Sequence, residues 1–88
     1  MKTTFKKQFE KQIKEVKDQK LKTGILDIIL KVENCNSILE IQNLKKLKGY
    51  KYFYRIRIGD YRIGVKAEND MVTFSAFHHR KDIYKYFP

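Results

Sequence analysis

Residues 52–66, YFYRIRIGDYRIGVK, read as two strands folded back on each other through Gly59 and Asp60. Side chains along a strand alternate between its two faces. In the first run Tyr54, Ile56 and Ile58 therefore share one face, and Phe53, Arg55 and Arg57 share the other. In the second run Tyr61, Ile63 and Val65 lie opposite Arg62, Gly64 and Lys66. A two-residue Gly-Asp connection is a tight-hairpin signal. It sets the register as Ile58 against Tyr61, Arg57 against Arg62, Ile56 against Ile63 and Arg55 against Gly64. One face is apolar. The other collects Arg55, Arg57, Arg62 and Lys66, with Arg57 directly opposed to Arg62. Like charges across a strand pair destabilise it, so this clustering calls for a reason beyond folding. A polyanionic ligand supplies one, because guanidinium groups grip phosphate bidentately and stay charged at every relevant pH.

Upstream of the hairpin the apolar period is helical. Phe5, Phe9, Ile13 and Val16 form one stripe among lysines and glutamates. After the polar break Lys17–Lys20, a second stripe follows at Leu21, Ile25, Ile28, Ile29 and Val32, interrupted only by Gly24. The spacing predicts a helical hairpin with helices of about 10 to 15 residues. The residues before Phe5 leave room for a short edge strand but are too few to establish it. Ser37 to Glu40 fits the capping-box spacing, and Asn43–Gly49 reads as a basic connection ending in glycine. Beyond the hairpin come a polar turn at Ala67–Asp70, a third strand at Met71–Phe77 and a helical segment at Arg80–Phe87, with Ile83 and Phe87 four residues apart. Helices first and strands afterwards predict an α+β fold. Its N-terminal helical hairpin packs on a small twisted antiparallel sheet, and a short C-terminal helix closes the chain. The arginine face is expected to be left open to solvent.

The chain has 88 residues, which is one domain, 1–88, with room for one modest core. With 42% hydrophobic residues, including six tyrosines and six phenylalanines, it is expected to fold. The net charge of +10 points to nucleic acid, an acidic protein partner or anionic lipid. A lone cysteine, Cys35, excludes an intramolecular disulfide and any multi-cysteine zinc site, and reads as a free thiol. The N-terminal residues lack an apolar secretory segment, and no apolar stretch approaches the roughly 20 residues of a membrane span. The expectation is a soluble cytoplasmic protein away from membranes.

There is no Gly-rich phosphate loop, no Ser-His-Asp set, no carboxylate pair and no metal-ligand spacing, so neither a metal nor another cofactor is expected. His78 and His79 are adjacent and must point to opposite faces of the third strand. Simple alternation groups His78 with Val72, Phe74 and Ala76 towards the core, and His79 with Thr73, Ser75 and Phe77 away from it. On that pattern His78 is a packing residue and His79, beside Arg80, the better site candidate. Of Tyr84 and Tyr86, either could stack on an unpaired base. If the chain cleaves RNA, the ribose 2′-hydroxyl can serve as nucleophile and the arginines can stabilise charge on phosphorus.

Three pieces, Leu47–Gly49 (LKG), Tyr54–Gly64 (YRIRIGDYRIG) and His79–Tyr84 (HRKDIY), resemble the RelE/ParE superfamily of type II toxins. The resemblance spans about Lys45 to Phe87 and implies the same layout of helices and sheet. RelE-like members cut mRNA in the ribosomal A site. By this resemblance Arg55 and Arg57 grip phosphate, Arg62 stabilises it, His79 and Arg80 form the pair at the sheet's end, and Tyr84 stacks on or orients the substrate. Lys48, Lys51, Lys66 and Lys81 are further candidate RNA contacts. Where relatives often carry lysine on the first hairpin strand this chain has arginine, which keeps the charge but cannot exchange a proton. ParE-like members instead poison DNA gyrase, and a non-catalytic basic nucleic-acid-binding module is a third reading. The implied partners are a cognate antitoxin that covers the basic face, the ribosome and mRNA.

Overall fold

The computed structural model describes residues 1–88. Along the chain lie β1 (Lys2–Phe5), α1 (Lys7–Lys14), α2 (Gln19–Asn34), a 3-10 turn (Ile38–Glu40), β2 (Leu44–Lys46), β3 (Phe53–Ile58), β4 (Tyr61–Glu68), β5 (Met71–His79) and α3 (Ile83–Tyr86). The strands form one sheet in the order β1-β5-β4-β3-β2.

β3 and β4 pair antiparallel in the register the Gly-Asp loop predicts, with Arg55 opposite Gly64, Arg57 opposite Arg62 and Ile58 opposite Tyr61. Gly59 sits at φ +57° while Asp60 does not have positive φ. That is the type II′ pattern, whose twist matches that of the flanking strands. Asn69 and Asp70, at φ +53° and +62°, close the next hairpin, as a type I′ turn requires. The Asp18 carboxylate accepts from the Leu21 N–H at 3.2 Å and starts α2, and Ser37 with Glu40 forms a complete capping box.

The apolar hairpin face buries as expected. Ile56, Ile63, Val65, Val72, Phe74 and Phe77 of the sheet pack with Phe9 of α1 and with Ile25 and Val32 of α2. Burying each such side chain contributes roughly 1.5–3 kcal/mol. No helix is long and apolar enough to cross a membrane.

Four features differ from the sequence-based expectation. Phe5 closes β1, parallel to β5 and opposite Phe74, so the otherwise antiparallel sheet has one parallel edge and α1 has only 8 residues. The strand still delivers the Phe5 ring to Phe9 and Phe74, at 6.1 and 5.3 Å, so the apolar stripe is satisfied without a helix. Within the basic connection, Leu44–Lys46 is a strand paired with β3; three residues are too few to show a period.

The third difference is a β-bulge. Ile63 faces Phe77 and Gly64 faces Ala76, but Val65 faces Phe74, which leaves Ser75 as the extra residue. An inserted residue reverses the facing of everything beyond it. Phe77 therefore joins the main core, and Ala76 and His78 turn to the arginine face. Lastly, that face is not wholly open. Leu47, Ala76, Ile83 and Phe87, with Phe53 beside them, form a second apolar cluster upon it. The Phe87 ring lies so close over Gly64 that a Cβ there would stand 2.7 Å from it.

Candidate active site

Two rows of side chains cross the part of the sheet that α3 leaves uncovered. One runs Lys45, Arg55, Gly64, Ala76. The next runs Arg57, Arg62, His78, and begins beyond β2 at Asn43, whose carbonyl accepts from the Arg57 N–H at 3.0 Å. Each arginine is positioned by a neutral acceptor. Arg57 Nη2 donates to Asn43 Oδ1 at 3.2 Å. Arg62 Nη1 donates to the carbonyls of Gly59 and Tyr61, at 3.0 and 2.9 Å, which folds it back along the hairpin turn. Arg55 Nε donates to the Tyr84 hydroxyl at 2.8 Å. The Arg80 N–H donates to the Asp60 carbonyl at 2.8 Å and ties the end of β5 to the same turn.

No acid lies within ion-pair distance of these arginines. The ion pairs of the molecule are Lys31–Asp27, Lys66–Glu68 and Lys85–Asp82, and none includes an arginine. Partial burial, then the charges of Arg55, Arg57 and Arg80, lower the pKa of Arg62, with Tyr84 acting in the opposite sense. Arginine remains protonated regardless; a bound anion would offset the part of the shift that comes from Arg55, Arg57 and Arg80.

His78 stands opposite Arg62, with its ring stacked on Tyr86 at 4.8 Å. Gln12 of α1 fixes its tautomer. The Gln12 Oε1 accepts from the Phe77 N–H at 3.0 Å, so the amide nitrogen is the end that meets His78 Nε2, at 3.1 Å. An amide NH2 can only donate. His78 Nε2 is therefore the acceptor and Nδ1 carries the proton. Burial lowers the His78 pKa, against the pull of Asp82, and favours the same neutral form.

Of the residues expected at the site, Arg55, Arg57, Arg62, Arg80 and Tyr84 come together. His79 does not. It pairs with Tyr61 on the opposite face, edge-on to that ring at 5.5 Å, and its Nδ1 accepts from the Lys81 N–H at 3.2 Å. The bulge at Ser75 exchanged the roles of the two histidines. Lys66 is held by Glu68 at 3.3 Å, and Lys51 lies over the Tyr52 ring at 5.5 Å. Lys81 follows Arg80 in the exposed turn, and Lys48 lines a groove with Tyr84. Lys45 and His78 join the face unforeseen. Lys45 needed β2, and His78 needed the bulge. No three His, Cys, Asp or Glu side chains meet in a way that could hold a metal ion. Cys35 is buried, its thiol donating to the Val32 carbonyl at 3.0 Å.

A family model described as the ParE toxin of the type II toxin-antitoxin system, parDE, matches residues 2–84. Toxin RelE3 of Methanocaldococcus jannaschii is 43% identical over 89 aligned positions that take in 100% of both chains. Among solved structures, the RelB-RelE antitoxin-toxin complex from Methanococcus jannaschii holds a chain 41% identical to this one. The two superpose with a TM-score of 0.78 over 97% of this chain and 99% of that one. A chain of the archaeal RelE-RelB complex from Pyrococcus horikoshii OT3 matches at a TM-score of 0.73 and 20% identity, over 90% and 93% of the two. At that identity the likeness is one of fold.

Proposed function

The chain belongs to the RelE/ParE family of type II toxins, and on that premise we propose that it is an endoribonuclease that cuts mRNA on the ribosome and so stops translation. The observation that carries this reading is the row Arg57–Arg62 with Arg55 and Arg80 around it, four cations without an acid among them. Such a face suits a pentacoordinate phosphorus, whose negative charge exceeds that of the starting diester. Preorganised donors of this kind supply several kcal/mol of transition-state stabilisation.

The chemistry draws its nucleophile from the substrate. The 2′-oxygen forms a bond to the adjacent phosphorus and the bond from phosphorus to the 5′-oxygen breaks. The products carry a 2′,3′-cyclic phosphate and a 5′-hydroxyl. One proton leaves the 2′-hydroxyl and one reaches the departing 5′-oxygen. Arginine does not titrate, so these protons pass through His78, the Tyr84 hydroxyl or water. Tyr84, 61% exposed and held by Arg55, offers its ring to the base beside the cut. The partners under this reading are an antitoxin of RelB type, as in the related complex, and the ribosome with its mRNA in the cytoplasm.

Primer extension on mRNA from a translation reaction supplied with the purified chain tests the proposal. Cuts within codons are expected, and Arg62→Ala should abolish them. Intact mRNA together with gyrase-dependent DNA breaks would instead assign the chain the ParE-like activity to which the matching family description points. RNA bound but uncut would reduce it to a binding module.

A further inference from the structure

We propose that the groove beside Tyr84 is a second nucleotide subsite, which takes one unpaired RNA base next to the phosphate held by the arginines. The inference rests on the ribonuclease reading and adds a place for substrate that catalysis itself does not require. The groove encloses about 380 Å³ between β2, the loop after it and the C-terminal segment. That lies at the small end of the roughly 300–1,000 Å³ range of small-molecule sites, suited to one nucleotide and too small for a helix. Its floor is apolar, made by the buried Leu47 and Phe87. Its walls are two rings, Tyr84 and Tyr50, the latter 48% exposed.

Both rings are held in place. The Tyr84 hydroxyl accepts from Arg55, and Tyr50 stands edge-on to Phe53 at 5.6 Å, which in turn stands edge-on to Phe87 at 5.5 Å. Lys45, Lys46 and Lys48 form the rim, all exposed and none in an ion pair. Lys45 is also the register partner of Arg55, so the rim continues directly into the arginine face. An apolar floor between aromatic walls under a cationic rim is the chemistry of a stacked base with its phosphate outside. A larger cleft of about 550 Å³ between α2 and Glu40–Asn43 reaches Arg57 but brings Asp27 and Glu40 with it. Those carboxylates disfavour a nucleotide there.

The test uses the full chain and a labelled single-stranded RNA whose ribose 2′-oxygens are methylated, so that it binds uncut, with 5-iodouridine placed at successive positions. Tyr50→Ala should weaken binding about tenfold or more, and Tyr50→Phe should restore it. Lys48→Glu should also weaken it, with an effect that shrinks at high salt. In the cleavage reaction Tyr50→Ala should raise KM and leave kcat close to wild type. The iodouridine that crosslinks to Tyr50 should crosslink to Tyr84 as well, and the adjoining position towards the arginines to Tyr84 alone. A thermal melt checks that each variant folds, and Lys48→Glu carries the test should Tyr50→Ala not fold. If both variants bind RNA as wild type does while Arg57→Ala loses it, the subsite is wrong and the ribonuclease reading stands. If they weaken only antitoxin binding, the groove belongs to a protein partner and the inference falls. Wild type that binds no RNA would overturn the ribonuclease reading, and the subsite with it.

Discussion

Arg57 and Arg62 face each other across a strand pair, and each is steadied by oxygen atoms that carry no charge. Such an arrangement lowers stability, as functional sites commonly do. Arg57→Thr, which puts a good strand former in place of one cation, should raise stability by about 0.5–1 kcal/mol in urea denaturation and remove RNA cleavage. The pairing was legible in the sequence because a two-residue loop allows one register. The histidines were not, because their facing depends on the bulge at Ser75; its one trace in the sequence is Phe77, which strict alternation groups with Thr73 and Ser75 instead of with Val72 and Phe74.

Gln12 makes its own prediction at this scale. It stabilises neutral His78, so Gln12→Ala should raise the His78 titration midpoint, read by NMR of the imidazole protons. In the folded chain burial depresses that pKa below the ordinary value near 6.5. As pH falls through 6.5 towards the folded-state value, the unfolded chain takes up a proton that the folded chain refuses. Stability should therefore drop across that window and be insensitive to His78 above it. Burial sets the shift and Asp82 opposes it; Gln12, Tyr86 and Arg62 are the other groups that face the ring. His78→Gln should flatten the slope.

Among the elements, α3 does most to shape the site, and its place follows from Gly64. Phe87 lies where a Cβ of residue 64 would go, at 2.7 Å, and Ile83 is buried beside it. The same short segment presents Tyr84 to Arg55. Gly64→Ala should cost about 1–3 kcal/mol by displacing a packed ring, and should lower cleavage further as Tyr84 moves off Arg55. Gly24 offers the contrast. Its added Cβ would meet only Ile58 Cδ1, the far end of a flexible side chain, at 2.9 Å. Helix propensity gains up to about 1 kcal/mol from the same change, so Gly24→Ala should be close to neutral. Thermal denaturation of the two variants separates these outcomes. The i, i+4 spacing of Ile83 and Phe87 announced a helix in the sequence, but not that it would fold back across the arginine face. That depends on a glycine on the strand beside β5, which no local pattern reports. β2 was hidden for a simpler reason, since three residues between turns cannot display a period.

Taken whole, the molecule carries a net charge of +10 on 88 residues, and one face gathers four arginines with Lys45 beside them. Binding to single-stranded RNA should weaken with salt, with log K falling by about 0.7 per unit of log salt for each phosphate neutralised. Arg57→Ala should reduce that slope by about the same amount, measured by anisotropy across a salt series. Helical hairpin, sheet and cationic face were all foreseeable from periodicity and charge, because one buried apolar face dictates which residues are left outside. On the proposed ribonuclease reading, this face stabilises attack by the RNA's own 2′-hydroxyl. This is tested most directly by placing one 2′-deoxynucleotide immediately 5′ of a mapped cut in an otherwise unmodified mRNA, and repeating the translation reaction with the wild-type chain. Cleavage should disappear at that position and persist at the unmodified sites. Undiminished cleavage at the deoxynucleotide would contradict this reading, since the nucleophile would then have to come from elsewhere.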